Sequence, residues 1–276
     1  MWNAAIWRKT WGDQRGLLLS LLALWGAFPS IYIWLSAQIP MSAFGEVLLR
    51  AIPQDWQKLS GVPFTEVATH AGRVALAFVD PVIVLGATVW GITRGSDAVS
   101  GPLERGTLEM VLAQPVKRGA LFATQAIATT VAAALLCSVL FTAVWVAIAT
   151  GAWAGKVDPL RFLPAAANVF GLMVCIAGIS ACVSAADSYR WRTVGILSGF
   201  YVFSILAKLI GRLSVSLGWV GYLSILNAYE PQQLVGSAAE AWRLLACYDG
   251  VLLGVGTIAY VTGAVVFCRR DLPAPL

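Results

Sequence analysis

The stretch RGSDAVSGPLERGTLEMVLAQPVKR, residues 94–118, decides how the rest of the chain is read. It is a polar island between two long apolar runs, too charged to lie in lipid and too regularly patterned for a passive loop. Gly106 breaks what precedes it, and Thr107 is placed to cap a new helix, its hydroxyl accepting from a backbone N–H one turn on. Glu109 then falls in the first turn, where a carboxylate suits the positive end of the helix dipole. Leu108, Val111 and Leu112 follow i, i+3, i+4 spacing and give one apolar face to a helix of about two turns. Pro115 ends it, because the residue before a proline is pushed out of the helical region. A helix this short is unstable alone in water, so its apolar face needs a partner.

The composition around this island excludes a soluble domain. Of 276 residues, 59% are hydrophobic and 12% charged, and the mean hydropathy is +0.76, outside the range of globular soluble chains. The reading is an all-α, polytopic membrane protein forming a single domain over 1–276. The formal charge of +5 does not imply nucleic-acid binding, since the cations sit at the ends of apolar runs rather than on one patch. Cys137, Cys175, Cys182, Cys247 and Cys268 lie in or at the edge of apolar runs with no CxxC pair. They read as small packing residues rather than metal ligands or disulfides.

Six spans are expected, at 17–35, 74–91, within 121–149, about 165–185, 194 to about 210, and 244–268. Residues 1–16 interleave Trp2, Ile6, Trp7 and Trp11 with Arg8, Lys9, Asp13 and Arg15, the pattern of an interfacial amphipathic helix. The first run is long enough to cross and lacks a convincing small-residue cleavage site, so it reads as an uncleaved span bent near Pro29. The stretch 37–72, with Glu46, Arg50, Asp55, Lys58, Glu66 and His70 among Pro40, Pro53 and Pro63, reads as short helices skimming the outer face. His70 reads as a surface residue there. The stretch 212–242 is apolar but interrupted by Ser214, Ser216, Gly218 and Gly221, and reads as a re-entrant or interfacial hairpin on the outer side. Arg8, Lys9, Arg15, Arg94, Arg105, Lys117, Arg118, Arg190, Arg192, Arg269 and Arg270 crowd the short segments of one side, which places both termini in the cytoplasm.

The pattern Glu104 to Glu109 followed by Leu112 to Arg118 closely resembles the signature of type-2 ABC transporter permeases, the membrane subunits of many bacterial ABC exporters. In that family the segment follows the second span and is the coupling helix that fits a groove on a separate ATPase. Carried onto this chain, the resemblance implies a docking set of Glu104, Arg105, Gly106, Thr107, Leu108, Glu109, Val111, Leu112, Pro115 and Arg118. The buried contact with the ATPase would come from Leu108, Val111 and Leu112. Where the family often has a further acidic residue upstream, this chain reads Val99-Ser100-Gly101-Pro102. The resemblance further implies two ATPase subunits holding ATP and Mg, a second permease subunit, and a place in the bacterial inner membrane. The chain itself contains no GxxxxGK[ST] stretch, so no nucleotide site of its own is expected.

Within the spans, Asp80-Pro81 is the translocation candidate. A carboxylate at membrane depth costs roughly 3 kcal/mol, and the proline frees a carbonyl and can open a kink. The competing reading is a carboxylate near the outer third of the span, hydrated or paired with Arg73 roughly two turns earlier. Asp249 reads as interfacial. Gly250 and Gly254, four apart, suggest close helix packing, as do Ala177, Ala181 and Ala185; packing within one subunit comes before a dimer interface. Two further readings stay open: a membrane-embedded enzyme built on Asp80 and Asp249, and a non-transporting anchor for an ATPase.

Overall fold

The computed structural model describes residues 4–40, 63–214, 216–236 and 238–271. Within them, six helical stretches are long and apolar enough to cross a membrane. They are α1 (Ala4–Ala37), the pair α3 (His70–Val79) and α4 (Pro81–Ser96), α7 (Arg118–Thr150), α8 (Leu163–Ala186), α9 (Arg190–Leu213) and α10 (Ala238–Arg269). Three short helices complete the set: α2 (Phe64–Val67) before α3, and α5 (Ser100–Glu104) and α6 (Thr107–Leu112) between α4 and α7. No strand occurs among the described residues. Most of the outer stretch expected over 37–72, with Glu46, Arg50, Asp55 and Lys58, lies outside them.

The separate interfacial helix expected over 1–16 is not what the described part of that stretch forms. Residues 4–16 are the first turns of α1, which runs unbroken for 34 residues, through Pro29. At 1.5 Å per residue that is roughly 51 Å, well beyond the ~30 Å of a hydrocarbon core. Ile6, Thr10 and Gln14 are buried on the face that continues into Leu18, Leu21 and Trp25. One stripe therefore packs along the whole helix, and packing along that stripe is what carries helix 4–16 straight into the span.

Helix α8 is the centre of the bundle. Its apolar window is 72% buried, against 17% for α9 and 22% for α10, and it packs on α10, α4, α7 and α9. Its sequence is apolar all round, as a helix enclosed by others requires, and its many small residues let neighbours come close. A side chain at Gly178 would run into the Gly256 carbonyl of α10, and one at Gly91 would meet Ile176 at 2.7 Å. The close approach between α8 and α10 thus runs through Gly178, Gly256 and Gly263. Gly250 and Gly254, expected to pack, have nothing within 4 Å, because they lie on the opposite side of α10. Gly178→Val is expected to destabilise the subunit by about 3 kcal/mol or more in a detergent melting experiment. Gly250→Val should leave the melt of the monomeric subunit within about 0.5 kcal/mol.

Exposed aromatic side chains mark both ends of the bundle, as amphipathic rings do at headgroup level. Trp34, Trp145, Trp219, Tyr222 and Trp242 ring one end, and Tyr189 and Trp191 stand at the other. The hairpin region resolves into short 3-10 turns at Gly218–Leu223, Ile225–Ala228 and Gln233–Val235. It folds back against α9, where a side chain at Gly211 would meet Gly221 Cα at 2.7 Å. At the same end, Arg73 donates to the carbonyls of Ser36 and Ile39 at 2.8 and 2.9 Å, satisfying the open end of α1. His70 begins α3 with its ring 5.4 Å from that of Trp153.

Candidate functional site

At the other end of the bundle, Gly106 takes φ +68°, a left-handed conformation that a side chain disfavours, and this turns α5 into α6. The Thr107 hydroxyl does not cap the new helix. It donates instead to the Pro102 carbonyl at 3.2 Å, because Thr107 is already the first helical residue and Gly106 occupies the cap position. Glu109 stands in the first turn as its charge favours.

The apolar face of α6 turns inward. Leu108 is 2% exposed within a cluster of Ala98, Val99, Phe122, Ala181, Ala185 and Phe267, and Leu112 packs on the same cluster. This short helix packs against its own membrane domain, which covers Leu108 fully, contrary to its expected external contact, and Leu112 in part. Val111 is half-buried. The face left outward carries Met110, 66% exposed, with Ala113, Gln114 and Pro115 also exposed. Met110 was legible as the residue opposite the Leu108–Leu112 stripe on a helical wheel.

A collar of polar contacts ties this segment to the spans. Asp97 meets three arginines: Arg94 at 3.3 Å, Arg105 at 3.4 Å and Arg190 at 3.5 Å. The Glu104 carboxylate accepts from the Arg190 backbone N–H at 2.6 Å, capping the positive end of α9. Ser184 on α8 accepts from the N–H groups of Val99 and Ser100 at 3.2 and 2.8 Å and donates to the Ser96 carbonyl at 3.0 Å. Arg118 donates to the Arg270 carbonyl at 2.7 Å, and Arg270 to the carbonyls of Ala185 and Asp187 at 3.2 and 2.8 Å. Arg118 thus belongs to the frame rather than to the outward face. Displacing α5–α6 would pull on α4, α8 and α9 together.

A family model described as ABC-2 family transporter protein matches residues 27–272. The chain belongs to the ABC-2 transporter family. It is a multi-pass membrane permease of that family, and membership implies an ATPase partner. No curated protein matches the chain at a significant level.

In this permease the second span is broken at the translocation candidate. Asp80 is extended at ψ 140° and caps α4, accepting from the Val82 N–H at 2.9 Å, with Pro81 as the first helical residue. Its carboxylate therefore has a structural partner. Arg73, its expected companion, donates to the end of α1. The break frees the Phe78 carbonyl, whose partner one turn on would have been Val82, and the Tyr229 hydroxyl donates to it. Burial pushes the Tyr229 phenol well above its ordinary value, so it stays a donor. Asp80→Asn keeps the capping oxygen and should leave thermal stability within about 0.5 kcal/mol, whereas Asp80→Ala should cost about 1 kcal/mol.

Beside the break lies a cavity of about 470 Å³ lined by Pro81, Val84, Leu85, Tyr201, Ile205 and Leu209, with Lys208, Arg212 and Glu230 at its polar side. Lys208 donates to the carbonyls of Leu226 and Tyr229, each at 2.8 Å, and pairs with Glu230 at 2.9 Å; Arg212 pairs with the same carboxylate. Asp249 accepts from Asn168 at 2.9 Å, joining α10 to α8. The cysteines are free, and no group of three or more metal-ligating side chains occurs among the described residues.

Proposed function

We propose that this permease couples ATP hydrolysis by a separate ATPase to export of a substrate across the bacterial inner membrane. Its termini and the α5–α6 element face the cytoplasm. The observation that carries the reading is the outward face of α6: a solvent-exposed Met110 held on a helix whose other face is anchored in the spans. Such a knob fits a groove, and Glu104 and Arg105 flank it with exposed polar groups. ATP and Mg are held by the ATPase, two copies of which pair with two permease subunits. The second permease subunit packs against the open sides of α9 and α10, where Ile205, Leu209, Val251 and Ile258 are exposed and Gly250 and Gly254 permit close approach. The cavity beside Pro81 then becomes half of the translocation path. ATP-driven closure of the ATPase pair shifts α6, and the Asp97 and Ser184 contacts carry that shift into α4, α8 and α9.

The enzyme reading loses support because Asp80 and Asp249, the acidic groups it would use, each serve a structural partner. Purification of the tagged permease in mild detergent tests the proposal. A Walker-motif ATPase that co-elutes and hydrolyses ATP is the expected result, and a permease recovered alone would overturn it. Movement of substrate into vesicles by the reconstituted complex separates a transporter from an anchor.

A further inference from the structure

Between the first turns of α1, the α5–α6 element and the start of α7 is a cavity of about 160 Å³, several times the space one water needs. Apolar side chains (Ile6, Leu108 and Leu121 among them) form part of its wall, and Lys9, Arg94, Arg105, Asp13 and Asp97 supply its charges. Three cations against two carboxylates leave the lining positive by one. Asp97 is moreover already shared with Arg190, which lies behind it. Arg94 is the telling residue: it is 2% exposed, it pairs with Asp97 at 3.3 Å, and its Nε–H has no acceptor. The Gln125 amide nitrogen, on the same lining, is also buried without an acceptor. A buried, under-compensated guanidinium costs several kcal/mol unless something answers it. Two unanswered N–H donors on residues that line one positive cavity call for an anion with several acceptor oxygens.

We propose that this cavity binds a phosphate group, carried by an anionic lipid headgroup of the adjoining leaflet or by a soluble phosphate. The placement suits the lipid: the cavity is lined by the first turns of α1, ahead of the apolar run from Leu17, and basic pockets between spans on the cytoplasmic side take anionic headgroups. Arg105, Leu108, Val111 and Gln114 form part of its wall, so an occupied cavity braces the ATPase-docking element against α1 and α7. Coupling would then depend on the lipid. The inference rests on the cytoplasmic placement of this end, but binding needs no ATPase, so its failure is separable from failure of the docking proposal.

The test uses the purified full-length permease in a neutral detergent. Thermal stabilisation is titrated with dihexanoyl-phosphatidylglycerol, dihexanoyl-phosphatidylcholine and inorganic phosphate. The expected result is saturable binding of phosphatidylglycerol, weakened at least tenfold by Arg94→Gln and at least threefold by Gln125→Leu. Competition by inorganic phosphate with the same variant dependence assigns the site to soluble phosphates; lipid binding without such competition assigns it to the headgroup. Should Arg94→Gln fail to fold, Lys9→Gln combined with Gln125→Leu carries the test. Equal affinity in wild type and variants, equal stabilisation by phosphatidylcholine, or no saturable binding of any probe would overturn the proposal.

Discussion

Met110→Asp is expected to abolish retention of the ATPase, weakening the complex by at least about 30-fold while the permease itself inserts and purifies as before. Truncating a well-seated interface anchor costs 2 kcal/mol or more, which corresponds to about 30-fold in affinity, and a carboxylate forced into an apolar groove adds desolvation. The permease should tolerate the change because Met110 is 66% exposed and contributes little to its own packing. Leu108→Asp makes the contrast. Leu108 sits at 2% exposure in the cluster with Val99, Phe122 and Phe267, so a charge there disrupts the permease and lowers its recovery. The pair of variants is read by co-purification, ATP hydrolysis and gel filtration. Loss of the ATPase with an intact permease in Met110→Asp is the signature of an outward docking face. An undiminished complex would remove Met110 from the interface.

Glu230→Gln is the second large effect, and it falls on the permease itself. The carboxylate is buried and is shared by Lys208 and Arg212, while its own backbone N–H donates to Asn168 at 3.1 Å. Removing one partner of a buried ion pair leaves uncompensated charge and costs about 3–5 kcal/mol. Lys208 also holds the Leu226 and Tyr229 carbonyls, so the loss should loosen the turns over 216–236 from α9. We expect a pronounced fall in detergent melting temperature and loss of transport, with a far smaller change for Asp80→Asn. A melt within about 1 kcal/mol of wild type would show that the Lys208–Glu230–Arg212 cluster is solvated rather than structural.

Much of this architecture was written in the hydropathy. The apolar runs gave the spans, and the polar island over 94–118 gave the one segment that could not lie in lipid. The breaks were legible too, since Gly106 tolerates a left-handed backbone that other residues avoid, and Pro81 fixes its φ and lacks an N–H. What the sequence did not disclose is which surface answers which. Leu108 and Leu112 form an apolar stripe whether they face a partner protein or the chain's own Val99 and Phe267, and periodicity along one helix is blind to that choice. The same blindness misplaced the glycines of α10: the i, i+4 spacing at Gly250 and Gly254 is regular, yet contact with α8 passes through Gly256 and Gly263. Asp80 stands out because a carboxylate at membrane depth is costly, and a proline beside it marks a kink without specifying that the carboxylate caps the helix that follows. The ties of Asp97, Glu104 and Ser184 to distant residues join positions up to 93 apart, from Asp97 to Arg190, beyond any local pattern.

The central claim is that α6 shows its Met110 face, and not its leucine face, to an ATPase. Site-specific photo-crosslinking tests it most directly, with p-benzoylphenylalanine placed at position 110 in one permease and at position 108 in another. Irradiation in membranes, followed by identification of the adducts, should give a permease–ATPase product from position 110 and only internal adducts from position 108. An ATPase adduct from position 108 with none from position 110 would contradict the account.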